Sequence, residues 1–130
     1  MTIELWMLLA SVGMLMAGIV FQGVTGLVAF GALRQAGARD EARDNPKLVG
    51  RGARAVQNQL ESLAMFTPVV LIAHVTDTHT VTTVMGAQLY ALARVAYMPS
   101  YWLGIPFIRT MLFTAGLVGT VMVAWPLLTG

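Results

Sequence analysis

The sequence predicts an all-α integral membrane protein, folded as an up-and-down bundle of four transmembrane helices. Of its 130 residues, 57% are hydrophobic and only 11% are charged, whereas soluble domains carry roughly a quarter charged residues. A soluble chain of this length has too small a core to bury so much apolar surface. The apolar residues fall in runs long enough to cross a bilayer, with polar segments between them. We predict a single domain over residues 1–130.

The helices are predicted from the runs between polar or proline-containing breaks. The first apolar run begins with acidic Glu4 and is too long for a signal peptide. The polar segment 34–50 ends it, and the short Thr76–His79 turn separates the second run from the third. Pro99 is expected to break the third helix, and Pro106 to begin the fourth. The predicted helices cover residues 3–33, 51–75, 80–98 and 105–128.

Orientation in the bilayer follows from the basic residues. All eight Lys and Arg lie in the first connection, at the start of the second helix, or around the third connection. With four spans these two connections share one side, which the positive-inside rule places in the cytoplasm. We therefore expect a cytoplasmic loop at 34–50 and both termini outside the cytoplasm. Cysteine is absent, which excludes thiolate metal sites, and we expect neither a metal site nor a nucleic-acid partner.

Polar residues recur at helical spacing on the second helix. Arg51, Arg54, Asn58 and Glu61 follow one another at intervals of three or four residues, so they form one stripe along the helix. A charged side chain at the bilayer centre costs about 2.5–3.5 kcal/mol or more, and less toward an end. The stripe is therefore expected to face either the bundle interior or a neighbouring subunit.

The other helices place further polar side chains at the same end. On the third helix, Arg94, Tyr97 and Tyr101 repeat the helical spacing. Arg34 closes the first helix and Arg109 opens the fourth at the same membrane face. Because the planar guanidinium donates two parallel hydrogen bonds to a carboxylate, this arrangement predicts a pocket for a small polar anion on the cytoplasmic side.

Two segments then carry a family resemblance. They read RGARAVQNQLE at 51–61 and RVAYMPSY at 94–101, and the second is followed by PFIRT at 106–110. In a chain of four predicted spans they resemble the membrane-associated proteins in eicosanoid and glutathione metabolism, the MAPEG superfamily. The chain looks like a bacterial-type member that resembles microsomal glutathione transferase and leukotriene C synthase.

The resemblance implies a homotrimer in the lipid bilayer that binds glutathione as co-substrate between neighbouring subunits. Arg109 takes the position of the catalytic arginine, which stabilises the glutathione thiolate for attack on a hydrophobic second substrate. A thiol has a pKa of about 8.5 and is mostly protonated at neutral pH. The implied glutathione-binding residues are Arg34, Arg51, Arg54, Asn58, Glu61, Arg94, Tyr97 and Tyr101.

Three residues depart from the family pattern, and they argue against either of the eicosanoid-forming reactions. Gln57, Ser62 and Phe113 differ from the residues of the eicosanoid-forming relatives. We therefore expect a glutathione transferase or peroxidase that acts on lipophilic electrophiles.

Other classes of function stay open from the sequence. A structural or regulatory membrane protein could use the polar cluster for assembly alone. A small multidrug-type transporter would need an acidic residue deep in the membrane, whereas Glu4 stands at the start of its helix and Glu61 lies in the arginine stripe. His74 and His79, at the opposite membrane face, have no set of carboxylates or cysteines around them in the sequence and are expected to be structural.

Overall fold

The computed structural model of the protein describes residues 1–31 and 47–130. Within these ranges the chain is all-helical, as predicted. The helices, numbered in chain order, are α1 (Ile3–Phe30), α2 (Lys47–Val75), α3 (Val81–Leu103) and α4 (Pro106–Thr129). The start of α1 and the turn between α2 and α3 meet at one end of the bundle, where Glu4 approaches His79 to 3.4 Å. The α3–α4 connection lies at the other end.

Two of these helices are long and apolar enough to cross a bilayer. Ile3–Val28 has a mean hydropathy of 2.0 and Pro106–Thr129 one of 1.8. Both expose large apolar side chains, such as Val28 on α1 and Phe107 on α4, and surfaces of this kind are covered by lipid or by protein. Helices α2 and α3 are less apolar because they bury polar side chains, among them Gln59 and Arg94.

The third helix is longer than predicted, and the expected break at Pro99 is wrong. Helix α3 continues through Pro99 to Leu103. Proline removes one backbone donor, yet the helix continues past it, and the adjacent Ser100 hydroxyl donates to the Tyr97 carbonyl at 2.8 Å. The helix ends only at Gly104, whose left-handed φ of 75° favours glycine. The residues on either side of Pro99 therefore share one continuous helix face.

The other helix ends differ from the prediction by a few residues. Helix α1 stops at Phe30 and is closed by Gly31, whose N–H donates to the Leu27 carbonyl. Helix α2 begins at Lys47, four residues before the predicted start at Arg51. Helix α3 has a capping box, in which the side chains of Thr80 and Thr83 each accept a hydrogen bond from the other's backbone N–H.

The bundle core joins all four helices. Its larger part contains Phe66 of α2 stacked on Tyr90 of α3, with ring centroids 3.7 Å apart. The Ser62 hydroxyl donates a hydrogen bond of 3.0 Å to the buried Tyr90 hydroxyl. A smaller part, at the α3–α4 end, consists of Ala55, Tyr97, Met98 and Tyr101. The second part lies directly beneath the polar residues singled out by the sequence.

A buried carboxylate fixes the opposite end of the bundle. Glu4 is almost fully buried and accepts a hydrogen bond of 2.6 Å from the Thr83 hydroxyl. His79 lies 3.4 Å from the same carboxylate and 3.8 Å from that of Asp77. These contacts tie the start of α1 to the start of α3.

Helices α3 and α4 approach closely where two glycines face each other. A Cβ atom built on Gly119 would lie 2.6 Å from the Gly86 carbonyl oxygen, and one on Gly86 would lie 2.7 Å from the Gly119 carbonyl oxygen. Backbone atoms cannot yield as a flexible side chain can, so only glycine allows this spacing.

We predict that Gly119→Ala destabilises the bundle by about 1–3 kcal/mol through overpacking. The matched control is Gly23→Ala in α1, where a Cβ meets nothing within 4 Å and alanine has the higher helix propensity. Thermal unfolding of both variants in detergent measures the difference. Equal melting temperatures would show that the α3–α4 contact is not tight.

Candidate functional site

A cleft opens at the end of the bundle where α3 gives way to α4. Its volume is about 310 Å³, at the lower end of the roughly 300–1,000 Å³ typical of small-ligand sites. The lining combines one amide, two phenols, one guanidinium and one hydroxyl with a single phenylalanine. These residues are Asn58, Tyr97, Tyr101, Arg109, Thr110 and Phe113.

The unbroken course of α3 positions both tyrosines. Tyr97 and Tyr101 are four residues apart, so they share one helix face, and their ring centroids lie 5.7 Å apart. Both are buried apart from the surface that they present to the cleft. If the helix ended at residue 98, as the sequence predicted, helix geometry would not place the Tyr101 side chain on the same face as Tyr97.

Two arginines from different helices converge on Tyr101. Arg54 of α2 donates a hydrogen bond from Nε to the Tyr101 hydroxyl at 3.1 Å. Arg109 of α4 lies over the Tyr101 ring, with its guanidinium carbon 4.7 Å from the centroid. The buried Nε of Arg109 has no hydrogen-bond partner among the described residues. It is therefore a donor that a ligand in the cleft could satisfy.

The short α3–α4 connection explains how Arg109 reaches this place. Gly104 ends α3, Ile105 turns the chain, and Pro106 occupies the first position of α4, where its fixed φ suits a helix start. Arg109 thus falls at the end of the first turn of α4. The structure brings Arg109 and Tyr101 together, as the sequence predicted.

The polar stripe of α2 lies on the outer surface of the protomer. Arg54 and Glu61 are exposed, and Glu61 accepts a hydrogen bond of 3.0 Å from Gln57. Asn58 reaches the cleft and donates to the Arg54 carbonyl at 3.1 Å. Of the two expected environments for the stripe, the interior of the protomer is excluded for Arg54 and Glu61.

Arg51 and Arg94 do not line the cleft, although the resemblance assigned both to the ligand. Arg51 donates to the Trp102 carbonyl at 3.2 Å and packs against Gly104. It thereby satisfies a carbonyl at the end of α3, where a cation is favourable. Arg94 is fully buried behind Tyr97, and its guanidinium carbon lies 4.2 Å from that ring centroid. Arg34 lies outside the described residues.

The arginines at this end have no acidic partners within the described ranges. Within those ranges, both ion pairs involve His79, which lies at the opposite end of the bundle. Arg51, Arg54, Arg94 and Arg109 therefore create a positive potential at the cleft, and among the described residues no carboxylate pairs with any of them. An electropositive, partly buried cleft favours anions, and carboxylates above all.

A second, apolar cavity adjoins the cleft at Thr110. Its volume is about 490 Å³, and it lies between α3 and α4. The Thr110 hydroxyl donates to the Pro106 carbonyl and the Thr114 hydroxyl to the Thr110 carbonyl, which leaves an apolar wall. The other lining residues are Leu89, Met111, Ala115 and Val118.

Sequence reasoning missed Gln59 and Thr110. Gln59 sits one position after Asn58 and is fully buried, on the same face of α2 as Phe66 and Val70. A helical projection of α2 places Gln59 on that inner face, so its burial could have been predicted from the sequence. The position of Thr110 could not have been predicted, because Thr110 lines both cavities and their meeting point depends on the packing of the helices.

Together, the fold and the cleft define a small helical membrane protein with a cationic cleft at one end of its bundle. The chain belongs to the MAPEG family, whose family model matches residues 3–129. The resemblance inferred from the two sequence segments is thereby confirmed. Comparisons with curated proteins and with solved structures find no significant match.

Proposed function

We propose that the protein is a membrane-bound glutathione transferase, with peroxidase activity, that acts on lipophilic electrophiles. The observation that carries this proposal is the convergence of Arg54 and Arg109 on Tyr101, at a cleft where no carboxylate among the described residues lies within 4.0 Å of an arginine. Glutathione carries two carboxylates and a thiol that must ionise, so it needs such a potential. The MAPEG family includes glutathione-dependent enzymes.

The cleft and the polar stripe of α2 beside it offer a group for each part of glutathione. Arg54 and Asn58 would bind the peptide part, and the Glu61 carboxylate would pair with its amino group. Tyr97 and Tyr101 would donate to a carboxylate. Arg34, outside the described residues, would help to bind the ligand, as the family resemblance implies. Arg51 and Arg94 would act from outside the cleft. Arg51 would hold the end of α3 through the Trp102 carbonyl, and Arg94 would contact the Tyr97 ring.

Arg109 would supply the catalytic step. Its guanidinium beside the glutathione sulfur favours the thiolate, and the thiol proton leaves to solvent. The thiolate attacks an electrophilic carbon, a sulfur–carbon bond forms, and the leaving group departs with its electron pair. With a hydroperoxide, the thiolate takes one oxygen and releases an alcohol, and a second glutathione reduces the product to disulfide and water.

The second substrate would reach the sulfur along the apolar cavity. This cavity meets the cleft at Thr110 and runs along α4 as far as Val118, a distance of about 12 Å at 1.5 Å per residue. Its apolar wall suits a hydrocarbon chain that enters from the bilayer. A lipophilic electrophile would then place its reactive carbon near Arg109.

Assembly into a homotrimer would complete the site. Arg54, Gln57 and Glu61 lie on the outer surface of a helix in a membrane protein, where polar groups need polar partners. A second copy of the chain would supply them. We further propose that the cleft faces the cytoplasm and that both termini lie on the other side, since the basic residues gather at the cleft end.

We predict that glutathione raises the melting temperature of the detergent-purified protein. At one hundred times the dissociation constant, the ligand stabilises the fold by about 2.7 kcal/mol. The shift should vanish in Arg54→Ala and in Asn58→Ala, which remove a charge and an amide from the cleft. His74→Ala, at the opposite end of the bundle, is the matched control and should keep the full shift.

The alternative function makes the opposite prediction for the same experiment. A structural or regulatory protein would use the stripe of α2 for assembly, and the exposed pair of Gln57 and Glu61 fits that role. It would assemble normally and give no thermal shift with glutathione up to several millimolar. That result would refute the transferase.

We predict that Arg109→Ala lowers the conjugation rate by about 10²–10³-fold, the usual cost of removing one donor that stabilises a developing anion. Conjugation of glutathione to 1-chloro-2,4-dinitrobenzene measures the rate. Arg109→Lys keeps the charge and should retain part of it. Full activity in Arg109→Ala would discard this residue as the catalyst while leaving the binding site intact.

A further inference from the structure

A buried polar chain crosses the bundle directly behind the cleft. Arg94 of α3 and Gln59 of α2 both have 0% of their surface exposed. The Arg94 Nε donates to the Gln59 Oε1 at 2.6 Å. The Gln59 amide in turn donates to the Ser11 carbonyl of α1 at 3.4 Å. Three helices are thus joined through one guanidinium.

The charge of this guanidinium is not balanced within the described residues. Its partner Gln59 is neutral, and both Nη atoms of Arg94 are without a hydrogen-bond partner in residues 1–31 and 47–130. The nearest acidic residue along α2, Glu61, is exposed and accepts from Gln57. Burying a charge without a counter-charge is strongly unfavourable. A core selected for stability alone would carry glutamate at position 59 or an apolar side chain at position 94.

The position of Arg94 explains what the unbalanced charge can do. Its guanidinium carbon lies 4.2 Å from the centroid of the Tyr97 ring, and Tyr97 lines the cleft. Little water lies between buried groups, so the field of the guanidinium reaches the cleft with weak screening. A cation on the ring face also draws electron density from the phenol, which makes the Tyr97 hydroxyl a stronger donor to an anion.

We propose that Gln59 is a specificity-determining residue, because its neutrality leaves the charge of Arg94 available to the cleft. Arg94 is a positioning residue that acts through Tyr97 and strengthens the binding of a carboxylate-bearing ligand. The buried, unbalanced charge of Arg94 lowers the stability of the bundle and creates the positive potential at the cleft. The inference rests on the proposed function, since glutathione is the anion used to test it.

Gln59→Glu tests the inference, because it keeps the hydrogen bond to Arg94 and supplies the missing counter-charge. We expect its dissociation constant for glutathione to increase by about tenfold. Isothermal titration calorimetry in detergent measures the dissociation constant, and thermal unfolding shows that the variant is folded. The control is Thr82→Glu, which adds the same charge to an exposed position in the first turn of α3, at the opposite end of the bundle. It should bind glutathione as the wild-type protein does.

A structural role for the pair predicts different results. If Arg94 only joins the helices, Gln59→Glu keeps the wild-type dissociation constant, and that outcome overturns the inference. Failure of the wild-type protein to bind glutathione is a separate result, and it overturns the proposed function on which the inference rests.

Substitutions at Arg94 keep the inference testable if Gln59→Glu does not fold. Arg94→Met removes the charge but retains an apolar stem of similar length, and such replacements of buried ions are often tolerated. We expect the same loss of affinity of about tenfold. Arg94→Lys keeps the charge and should retain most of the affinity. Wild-type affinity in Arg94→Met would refute a role for the charge.

Discussion

Tyr101 is the point at which three helices meet around the cleft. Its hydroxyl accepts from Arg54 of α2, its ring lies beneath Arg109 of α4, and its backbone belongs to α3. This meeting requires α3 to remain helical through Pro99, so that Tyr97 and Tyr101 stay on one face. The cleft therefore depends on one turn of helix that Pro99 was expected to break.

The cleft end of the bundle concentrates positive charge where apolar packing would be more stable. Arg94 and Arg109 each retain unpartnered nitrogen atoms, and no carboxylate among the described residues lies within 4.0 Å of an arginine. The opposite end is arranged differently, because there Glu4 is matched by Thr83 and His79. Among the described residues, the charges at one end of the bundle are thus paired, whereas the arginines at the other end have no carboxylate partner.

Much of this arrangement could be predicted from the sequence. Helical spacing placed Arg54 and Asn58 on one stripe and Tyr97 and Tyr101 on another, because spacing depends only on local geometry. The end of α3 could not be predicted from Pro99 alone, since tertiary packing decides whether a helix continues past a proline.

Other features need the three-dimensional structure. The contact between Gly86 and Gly119, and the burial of Glu4, each join residues distant in the sequence. The stripe of α2 was compatible with two environments, and only the packing of the protomer separates them. The role of Gln59 also depends on Arg94, which lies 35 residues away in the sequence.

The central claim is that the cleft recognises its ligand by negative charge. The most direct test compares the dissociation constants of the wild-type protein for glutathione and for glutathione with both carboxyls esterified. Hydrogen bonds to charged groups contribute about 1.5–3 kcal/mol each, so the ester should bind at least about tenfold more weakly. Equal dissociation constants for the two ligands would contradict the claim, because the arginines would then contribute nothing to recognition.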